Sequence, residues 1–497
     1  MSDTYVPDVG VSRDEAIASS RVSMDFFAML CIPEVFKFLF PPVFLAVWQL
    51  LTSSALEPVG KKRLALGIPR GFGKTLMLKL FVAWLIAFTD RKFILVVCNT
   101  ADLAENFIAD VADILSSVNY LRVFGDWRLT LEKDRQELKK FSFRGRSVIL
   151  AGLGAGSSLR GLSIKFVRPD VIIQDDMQSR EEAASPVESV KTMSWMIGTL
   201  MKANDNNRCL HIFVGNMYPY EGSILRKLQT NPAWISFITG ALLEDGESLW
   251  PELRSVDDIL QELENDSSLG HPEIFFSEVM NDPEAGSRSG VDFSKINVWQ
   301  GTDEELLTAE AGFVIIDPSL GKKKSDDVMI GAFLIYNGEP VLREIKYGKL
   351  NPGEQVRESI RLCAKYGLDA LIVEGVAYQA SLCYWVDQSL RQLGLTNIKT
   401  LTINPSGRAK VPRILDMLKQ LTAAKERILI HRDVRTMVTH QITYFDPMKT
   451  TNKDDLLDIL AYAYKVMAEH LAQLYRAIYH GGEVVEASFS DDLQLDF

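Results

Sequence analysis

The chain has 497 residues, of which 47% are hydrophobic and 24% are charged, and this composition predicts a globular protein of two or three domains. Its five cysteines are scattered without a C-x-x-C pair, which argues against a disulfide framework and against a zinc site. The formal net charge is −11, so any contact with DNA must use local basic patches rather than an overall positive charge. The candidate patches are Lys139, Lys140, Arg144 and Arg146, and Lys322, Lys323 and Lys324.

An apolar stretch lies near the N-terminus, at residues 26–51. Glu34, Lys37 and three prolines interrupt it, and its longest clean run is shorter than the roughly 20 residues that cross a bilayer. We therefore predict buried helices or an oligomer contact here, and no membrane association. A basic segment followed by an apolar core is absent from the first residues, so no signal peptide is expected.

Residues 63–225 alternate short apolar runs with helical segments. The strand-like runs are RLALGI, FILVVCN, SVILAGL, DVIIQDD and LHIFVGN, and the helical segments include TLMLKLFVAWLIAF and ADLAENFIADVADIL. Short continuous apolar runs separated by helices are typical of a parallel sheet that is covered on both faces. The first half is therefore predicted to be α/β with a mainly parallel sheet.

The second half has a different order of elements. Residues 245–300 are rich in Pro, Gly, Asp and Ser, which indicates a linker or a small subdomain. From residue 311, GFVIID, VMIGAFLIY and PVLREIKYG predict three successive strands. Two more strands, DALIVEG and IKTLTI, alternate with predicted helices, and a last long helix begins near Asp455.

The first motif, LGIPRGFGKT, follows the first predicted strand. It resembles the phosphate-binding pattern G-x-x-x-x-G-K-[ST], but Ile68 stands where the first glycine is expected. Gly71 and Gly73 allow the loop backbone to approach phosphate oxygens, which the N–H groups of the loop and of the following helix bind. Lys74 is predicted to bind the β- and γ-phosphates of ATP, and Thr75 to ligate Mg²⁺. A chance glycine turn is the alternative interpretation.

A second motif, DVIIQDD, is an apolar strand that ends in two carboxylates, about 100 residues after the GKT loop. This is a Walker B arrangement, in which Asp175 would hold Mg²⁺ and Asp176 would orient the attacking water. The strand-like run LHIFVGN ends at Asn216. This residue either senses the γ-phosphate or belongs to an ordinary turn. Arg160 and Arg168 precede the Walker B strand, and each is either a transition-state arginine or a salt-bridge arginine.

Three carboxylate positions are prominent in the second half. Asp317 ends the first strand, Glu374 ends the fourth, and Asp454, Asp455 and Asp458 lie at the start of the last helix. This is the layout of an RNase H-like nuclease, whose acids gather two Mg²⁺ or Mn²⁺ ions. Asp455 and Asp458 share a helix face, and helix capping is the alternative role for the first two helix acids. Weaker candidates for an outer ligand are Asp326 and Asp327.

The predicted organisation is an α/β chain in which a P-loop NTPase domain with a mainly parallel sheet precedes an RNase H-like nuclease domain. The predicted parts are an N-terminal helical segment (1–60), the ATPase domain (61–245), a linker or subdomain (246–300), the nuclease domain (301–475) and an acidic tail (476–497).

The order of motifs resembles the large terminase subunit of tailed bacteriophages. The matching stretches are PRGFGKT, RGL with RPDVIIQDD, VGNMYPYEGSIL, WPELR, FFSEVMNDPEAG, IIDPS, VEG and KDDLLDILAYA, and they span about residues 60–470. The resemblance implies a ring of subunits that pumps double-stranded DNA into a procapsid with ATP, and a nuclease that cuts concatemeric DNA. It also implies a portal protein and a small terminase subunit as partners. The expected location is the cytoplasm of the bacterial host, transiently at the portal vertex.

The resemblance also implies roles for single residues. An arginine inside the loop is typical of terminases, so Arg70 is expected to contact the phosphates, and Ile68 is a family variation. Arg160 matches the position of an arginine that acts on a neighbouring subunit, and Gln49 matches an adenine-reading residue. Asp176 stands where many members have Glu. The candidates for the catalytic base are therefore Asp176, Glu181 and Glu182.

Two alternatives belong to other functional classes. A helicase-like repair or restriction motor with a fused nuclease would separate strands without a portal. A DNA-binding or scaffolding protein would use its ATP site only as a conformational switch, but the complete acid set at 317, 374 and 455 argues against it.

Overall fold

The computed structural model describes residues 10–57, 59–158, 167–205, 208–243, 246–288, 290–318, 328–374, 379–403, 410–425, 427–448 and 454–479. The chain forms two compact units. The first unit is Met1–Ile259 with Glu273–Glu284, and the second is Leu260–Pro272 with Ala285–Phe497.

The first unit contains both strands and helices. The strands are β1 (Gly60–Gly67), β2 (Phe93–Cys98), β3 (Leu131–Arg135), β4 (Leu138–Phe143), β5 (Arg146–Gly154), β6 (Val171–Asp175), β7 (Arg208–Gly215) and β8 (Ile235–Ile238). The helices are α1 (Arg13–Val22), α2 (Met24–Cys31), α3 (Pro42–Leu56), α4 (Lys74–Phe88), α5 (Ala101–Ser116), α6 (Val118–Phe124), α7 (Arg180–Ala184), α8 (Pro186–Trp195) and α9 (Ile224–Gln229). Shorter turns are a 3₁₀ turn at Trp127–Thr130 and a π-helical turn at Met196–Leu200. Helix α10 (Val256–Ser268) runs into the second unit, and α11 (Pro272–Glu278) leads back to the first.

The first sheet has eight strands in the order β3-β4-β5-β2-β6-β7-β1-β8. Strands β3, β4 and β5 pair antiparallel, and the remaining neighbours pair parallel. Every residue of β2 is buried, and α4 is buried almost all round, so the apolar runs of the sequence form the core of this unit.

The strand register brings three motifs to one edge of the first sheet. Gly67 at the end of β1 pairs with Gly215 of β7, and Asp175 at the end of β6 pairs with Val214. In open α/β sheets, ligands bind outside the carboxyl ends of the strands. The phosphate loop, the Walker B acids and Asn216 all follow strands at this edge.

The N-terminal apolar stretch forms helices α2 and α3, as predicted. The side chains of Phe27 and Trp48 are buried and lie against the α4 core, where the Trp48 and Trp84 ring centroids are 6.2 Å apart. The connection between the two helices keeps Val35 and Leu39 exposed. Among the described helices, none has both the length and the apolar character required to span a membrane.

The second unit contains a six-stranded sheet and its helices. The strands are β9 (Ala311–Asp317), β10 (Val328–Tyr336), β11 (Glu339–Gly348), β12 (Ala370–Glu374), β13 (Lys399–Ile403) and β14 (Leu429–Ile430). The helices are α12 (Ala285–Arg288), α13 (Asp303–Leu306), α14 (Pro352–Tyr366), α15 (Gln379–Gln392), α16 (Lys410–Leu421), α17 (Arg432–Tyr444) and α18 (Asp455–Tyr479), with a 3₁₀ turn at Phe293–Lys295.

The second sheet has the order β13-β12-β9-β10-β11-β14. Strands β9, β10 and β11 form an antiparallel meander, and β12 and β13 add parallel strands beside β9. Alternate residues of β10 face opposite sides, and Ile330 belongs to the core on the α14 side. A Cβ at Gly331 would meet Ile459 of α18 at 3.2 Å, so α18 covers the other face. The predicted α/β class is confirmed: the first sheet is mainly parallel with an antiparallel edge, and the second is mixed.

Candidate nucleotide and nuclease sites

The phosphate loop joins β1 to α4. Gly71 and Gly73 have φ values of 82° and 78°, in the left-handed region that favours glycine. The side chains of Ile68 and Phe72 are fully buried. The missing glycine is thus replaced by a residue that packs in the core, and the two glycines closest to the helix keep the loop conformation.

Lys74 lies at the centre of the candidate nucleotide site. Its side chain is almost fully buried, and its Nζ donates to Asn216 Oδ1 at 2.5 Å and lies 2.7 Å from Asp176 Oδ1. The structure therefore brings together residues from three of the predicted motifs.

Asp175 and Thr75 form the candidate magnesium position. The Thr75 hydroxyl donates to the Asp175 carboxylate, whose Oδ1 is buried without a hydrogen-bond partner among the described residues. Burial raises the pKa of Asp175 to about 6, and nearby Asp176 adds to this shift while Lys74 and Thr75 oppose it. A buried carboxylate oxygen without a partner, beside a hydroxyl, is a donor set that suits Mg²⁺.

Asp176 has an unusual backbone. Its φ is 43°, which is uncommon for a residue other than glycine, and its amide donates to the carbonyl of Val214 at 3.0 Å. The side chain is about half exposed, and such backbone outliers cluster at functional sites. The carboxylate therefore combines contact with Lys74 and access to solvent.

The alternative acids are placed differently. The Glu182 carboxylate accepts from the Ser179 amide at 2.8 Å and from Asn99 Nδ2 at 2.7 Å, as part of a capping box at the start of α7. Glu181 is exposed on the same helix. Of the three candidates for the base, Asp176 is the one whose contact with Lys74 the structure describes.

A segment that follows α11 was not predicted as part of this site. The Arg70 amide donates to the carbonyl of Glu278 at 2.8 Å, and the Arg70 guanidinium pairs with the Glu278 carboxylate. Asn216 Nδ2 donates to the same carbonyl at 2.9 Å and lies 3.4 Å from Asn281 Oδ1. Glu278 and Asn281 lie about 200 residues after the loop, within the quoted FFSEVMNDPEAG stretch, but no spacing in the sequence points to these contacts.

Two further predicted positions are exposed in the described part of the chain. Gln49 lies on the exposed side of α3, and Arg168 is exposed ahead of β6. Arg160 lies outside the described residues.

The first basic patch is largely occupied by internal contacts. Lys139 pairs with Asp134 at 2.5 Å, Lys140 pairs with Glu132, and Arg144 donates to the carbonyl of Ala87 at 2.9 Å. The second patch lies outside the described residues.

The candidate nuclease site begins at the ends of β9 and β12. Val373 pairs with Ile316 in parallel register, so Asp317 and position 374 follow neighbouring residues at the same edge of the sheet. Asp317 is partly exposed. The side chain of Glu374 lies outside the described part of the chain, as do Asp326 and Asp327.

The helix acids surround one lysine. Lys410 Nζ lies 2.8 Å from Asp454 Oδ1, 3.2 Å from Asp458 Oδ2 and 3.7 Å from Asp455 Oδ1. Burial lowers the pKa of Lys410, but Asp458 and Asp454 outweigh this and raise it above the usual value. The other oxygen of Asp458 accepts from Arg413 Nε at 3.1 Å, and the Arg413 guanidinium stacks over Tyr462.

These contacts distinguish the helix acids. Both oxygens of Asp458 accept from basic groups, and Asp454 is almost fully buried against Lys410. The Asp455 carboxylate is about one third exposed and has the longest contact with Lys410. No group of three or more His, Cys, Asp or Glu is poised to hold a metal among the described residues. The carboxylate chemistry suits Mg²⁺ or Mn²⁺, with Asp317 and Asp455 as the described candidates.

The fold is α/β, and its first site is a glycine loop followed by a helix with a buried lysine and two strand-end carboxylates, which is a candidate phosphate-binding site. No protein-family model and no curated protein matches the chain. Solved structures of large terminases match nearly the whole chain at low identity. The HK97 bacteriophage large terminase is 11% identical, with 91% of this chain and 99% of that chain covered and a TM-score of 0.38.

Two further matches include ligand-bound crystals. A large terminase from a thermophilic bacteriophage is 13% identical, with 86% of this chain and 99% of that chain covered and a TM-score of 0.33, and it was also solved with ATP-gamma-S. The human cytomegalovirus terminase nuclease domain, soaked with Mn, is 14% identical over 36% of this chain and 92% of that chain, with a TM-score of 0.28. Because the identities and TM-scores of these matches are low, the function proposed for this chain is argued from its own residues.

Proposed function

We propose that this chain is the motor subunit of a viral DNA-packaging machine, a large terminase that hydrolyses ATP and cuts DNA. The observation that carries the proposal is the position of Lys74, between Asn216 and Asp176 and beside the Thr75–Asp175 pair. The order of motifs along the chain supports packaging in particular.

The residues of the first site have distinct roles in ATP hydrolysis. Lys74 and the loop amides bind the phosphates, Thr75 and Asp175 hold Mg²⁺, and Asp176 orients the attacking water. Bound Mg²⁺ supplies positive charge to the phosphate oxygens. Arg70 is proposed to reach the phosphates from within the loop, and Arg160 is the proposed arginine for a neighbouring subunit.

The residues of the second site would cut the DNA. Asp317, Glu374 and Asp455 are the proposed ligands of two divalent metals, which supply an activated water and stabilise the leaving oxygen. Asp458 is proposed to stabilise the site through its contacts with Arg413 and Lys410. Asp455 is preferred to it as the metal ligand.

The proposed partners are double-stranded DNA, a portal protein, a small terminase subunit and further copies of this chain in a ring on the procapsid. The proposed location is the cytoplasm of the bacterial host, transiently at the portal vertex. In such a ring, an arginine of one subunit would stabilise the transition state of ATP hydrolysis in the neighbouring subunit.

Plasmid cleavage tests the nuclease. Purified protein is mixed with supercoiled DNA and Mg²⁺ or Mn²⁺, beside Asp317→Ala and a chelator control. Cleavage that is lost in both controls and retained in Lys74→Ala supports a metal-dependent nuclease that is separate from the ATP site. Folded protein that cuts with neither metal contradicts it.

A packaging assay separates the motor classes. ATP turnover and DNA uptake are measured with and without procapsids that carry a portal. Uptake that needs the portal supports the terminase proposal. ATP-dependent strand separation by the protein alone would instead support a helicase-like repair or restriction motor.

A further inference from the structure

The segment from Glu278 to Asn281 forms contacts with both the phosphate loop and Asn216. One carbonyl, that of Glu278, accepts the Arg70 amide at 2.8 Å and Asn216 Nδ2 at 2.9 Å. The Glu278 carboxylate, which is 12% exposed, holds the guanidinium of Arg70. This short segment therefore contacts two residues that were predicted to bind ATP.

Asn281 fixes the direction in which Asn216 presents its amide. Asn281 Oδ1 accepts from the Met217 amide at 3.0 Å and lies 3.4 Å from Asn216 Nδ2, while its own Nδ2 donates to the Thr239 carbonyl at 3.1 Å. An amide has a donor end and an acceptor end, so holding Asn216 Nδ2 turns its Oδ1 towards Lys74.

The conformation of Asn281 is specialised. Its φ is 49°, in the left-handed region that asparagine tolerates better than most residues, and its side chain is almost fully buried. A buried amide with three contacts is held in one orientation. Asn281 therefore links Asn216, which directly follows β7, to a segment distant in sequence.

The Arg70–Glu278 pair lies at the edge of the site. The Arg70 side chain is 73% exposed, so the pair faces the solvent from which a nucleotide would enter. Phosphate groups form charge-assisted hydrogen bonds with guanidinium that resemble those of a carboxylate. Bound nucleotide and Glu278 therefore compete for the same group.

We propose that residues 278–281 complete the nucleotide site: Asn281 is a positioning residue for Asn216, and Glu278 is the carboxylate that nucleotide phosphates replace on Arg70. The inference rests on the proposed ATP site and names the residues that support it. If the wild-type protein fails to bind ATPγS, the proposed function fails. If it binds but the variants below behave as wild type, only this inference fails.

Asn281 is tested by separating kcat from nucleotide affinity. Asn281→Gly suits the positive φ and removes the amide, and we expect kcat to fall about tenfold with little change in the ATPγS Kd. Asn281→Asp keeps the acceptor oxygen for Asn216 and Met217 but loses the donor to the Thr239 carbonyl, so its kcat should fall less than that of Asn281→Gly. The matched control is Asn337→Gly, at φ 50° in the turn between β10 and β11. An unchanged kcat in Asn281→Gly, or an equal loss in Asn281→Asp, overturns this role.

Glu278 is tested by a double-mutant cycle with Arg70. Glu278→Gln removes the competing charge, so we expect the ATPγS Kd to become about fivefold tighter. In the Arg70→Gln background the same change should have no effect, because the guanidinium that Glu278 holds is gone. The control is Glu284→Gln, which removes a nearby carboxylate that lies just after the segment and pairs with Arg226 of α9. A gain that persists without Arg70, or no gain at all, overturns the competition.

Discussion

The ammonium group of Lys74 lies 2.7 Å from the carboxylate of Asp176. The first residue begins the helix that follows the phosphate loop, and the second ends the Walker B segment, about 100 residues later. The two residues form a close ion pair, and in the proposed ATP site phosphate oxygens would compete with this carboxylate for the lysine.

Lys74→Ala should abolish ATP hydrolysis with the fold intact. Loss of the phosphate contact is expected to lower kcat by about 100-fold or more. Turnover is measured beside circular dichroism, with Lys62→Ala as the control, because Lys62 lies on β1 and pairs with Glu57 at the end of α3. An unchanged turnover rate would contradict the P-loop assignment.

Asp176→Asn should separate binding from chemistry. Asparagine tolerates the positive φ of this position, so the backbone conformation is retained. We expect ATPγS binding to persist, because Lys74 remains, while hydrolysis falls by about 100-fold because the carboxylate that orients water is lost. If Asp176→Asn hydrolyses ATP normally, the base is another residue, and Glu181 is the next to test.

Asp455→Asn should mainly affect DNA cleavage, whereas Asp458→Asn should mainly affect the free energy of unfolding. Asp455→Asn should abolish plasmid cleavage with little change in stability, since its contact with Lys410 is long and its carboxylate is partly exposed. Asp458→Asn leaves Arg413 and Lys410 without their main buried counter-charge, which should cost about 3 kcal/mol of the free energy of unfolding. Urea denaturation and cleavage are measured on both variants. A stable Asp458→Asn protein that no longer cleaves would make Asp458 the ligand instead.

His211 should make the first unit sensitive to acid. It is fully buried on β7 beside Asn204, and burial lowers its pKa to about 4, with Arg63 and Lys61 adding to the shift. The imidazole of His211 takes up a proton at higher pH in the unfolded chain than in the folded one. The free energy of unfolding is therefore highest above pH 6.5 and decreases as the pH falls towards 4. The expected loss over this window is about 3 kcal/mol.

The measurement is the free energy of unfolding at several pH values, for wild type and for His211→Gln. His211→Gln should flatten the dependence between pH 6.5 and 4, whereas His271→Gln, which removes an exposed histidine, should not. Parallel curves for His211→Gln and wild type would show that another group causes the acid sensitivity.

The sequence was sufficient to predict the framework of the first site. Lys74 and Asp175 follow apolar runs whose length and spacing predict parallel strands, and parallel strands place their carboxyl ends at one edge. Hairpin β3–β4 was missed because its first strand, LEKDR, is charged and mostly exposed, so it has no apolar period. Glu278 and Asn281 were missed because contacts between distant segments leave no local pattern.

In the candidate nuclease site, too, the sequence predicted the positions of the acids but not their contacts with distant residues. The ends of β9 and β12 were predictable, since each apolar strand finishes at an acid. The roles of Asp455 and Asp458 were not, because they differ only through Lys410 and Arg413, which approach from α16. Two acids on one helix face look equivalent until their basic partners are known.

The chain passes between the two units three times, after Ile259, Pro272 and Glu284. No single cut in the sequence therefore separates the units. A recombinant fragment that stops at Ile259 would retain every nucleotide-binding motif that the sequence displays, yet it would lack Glu278 and Asn281. Kinetic constants measured on such a fragment would describe a site that lacks the contacts of Glu278 and Asn281 with Arg70 and Asn216.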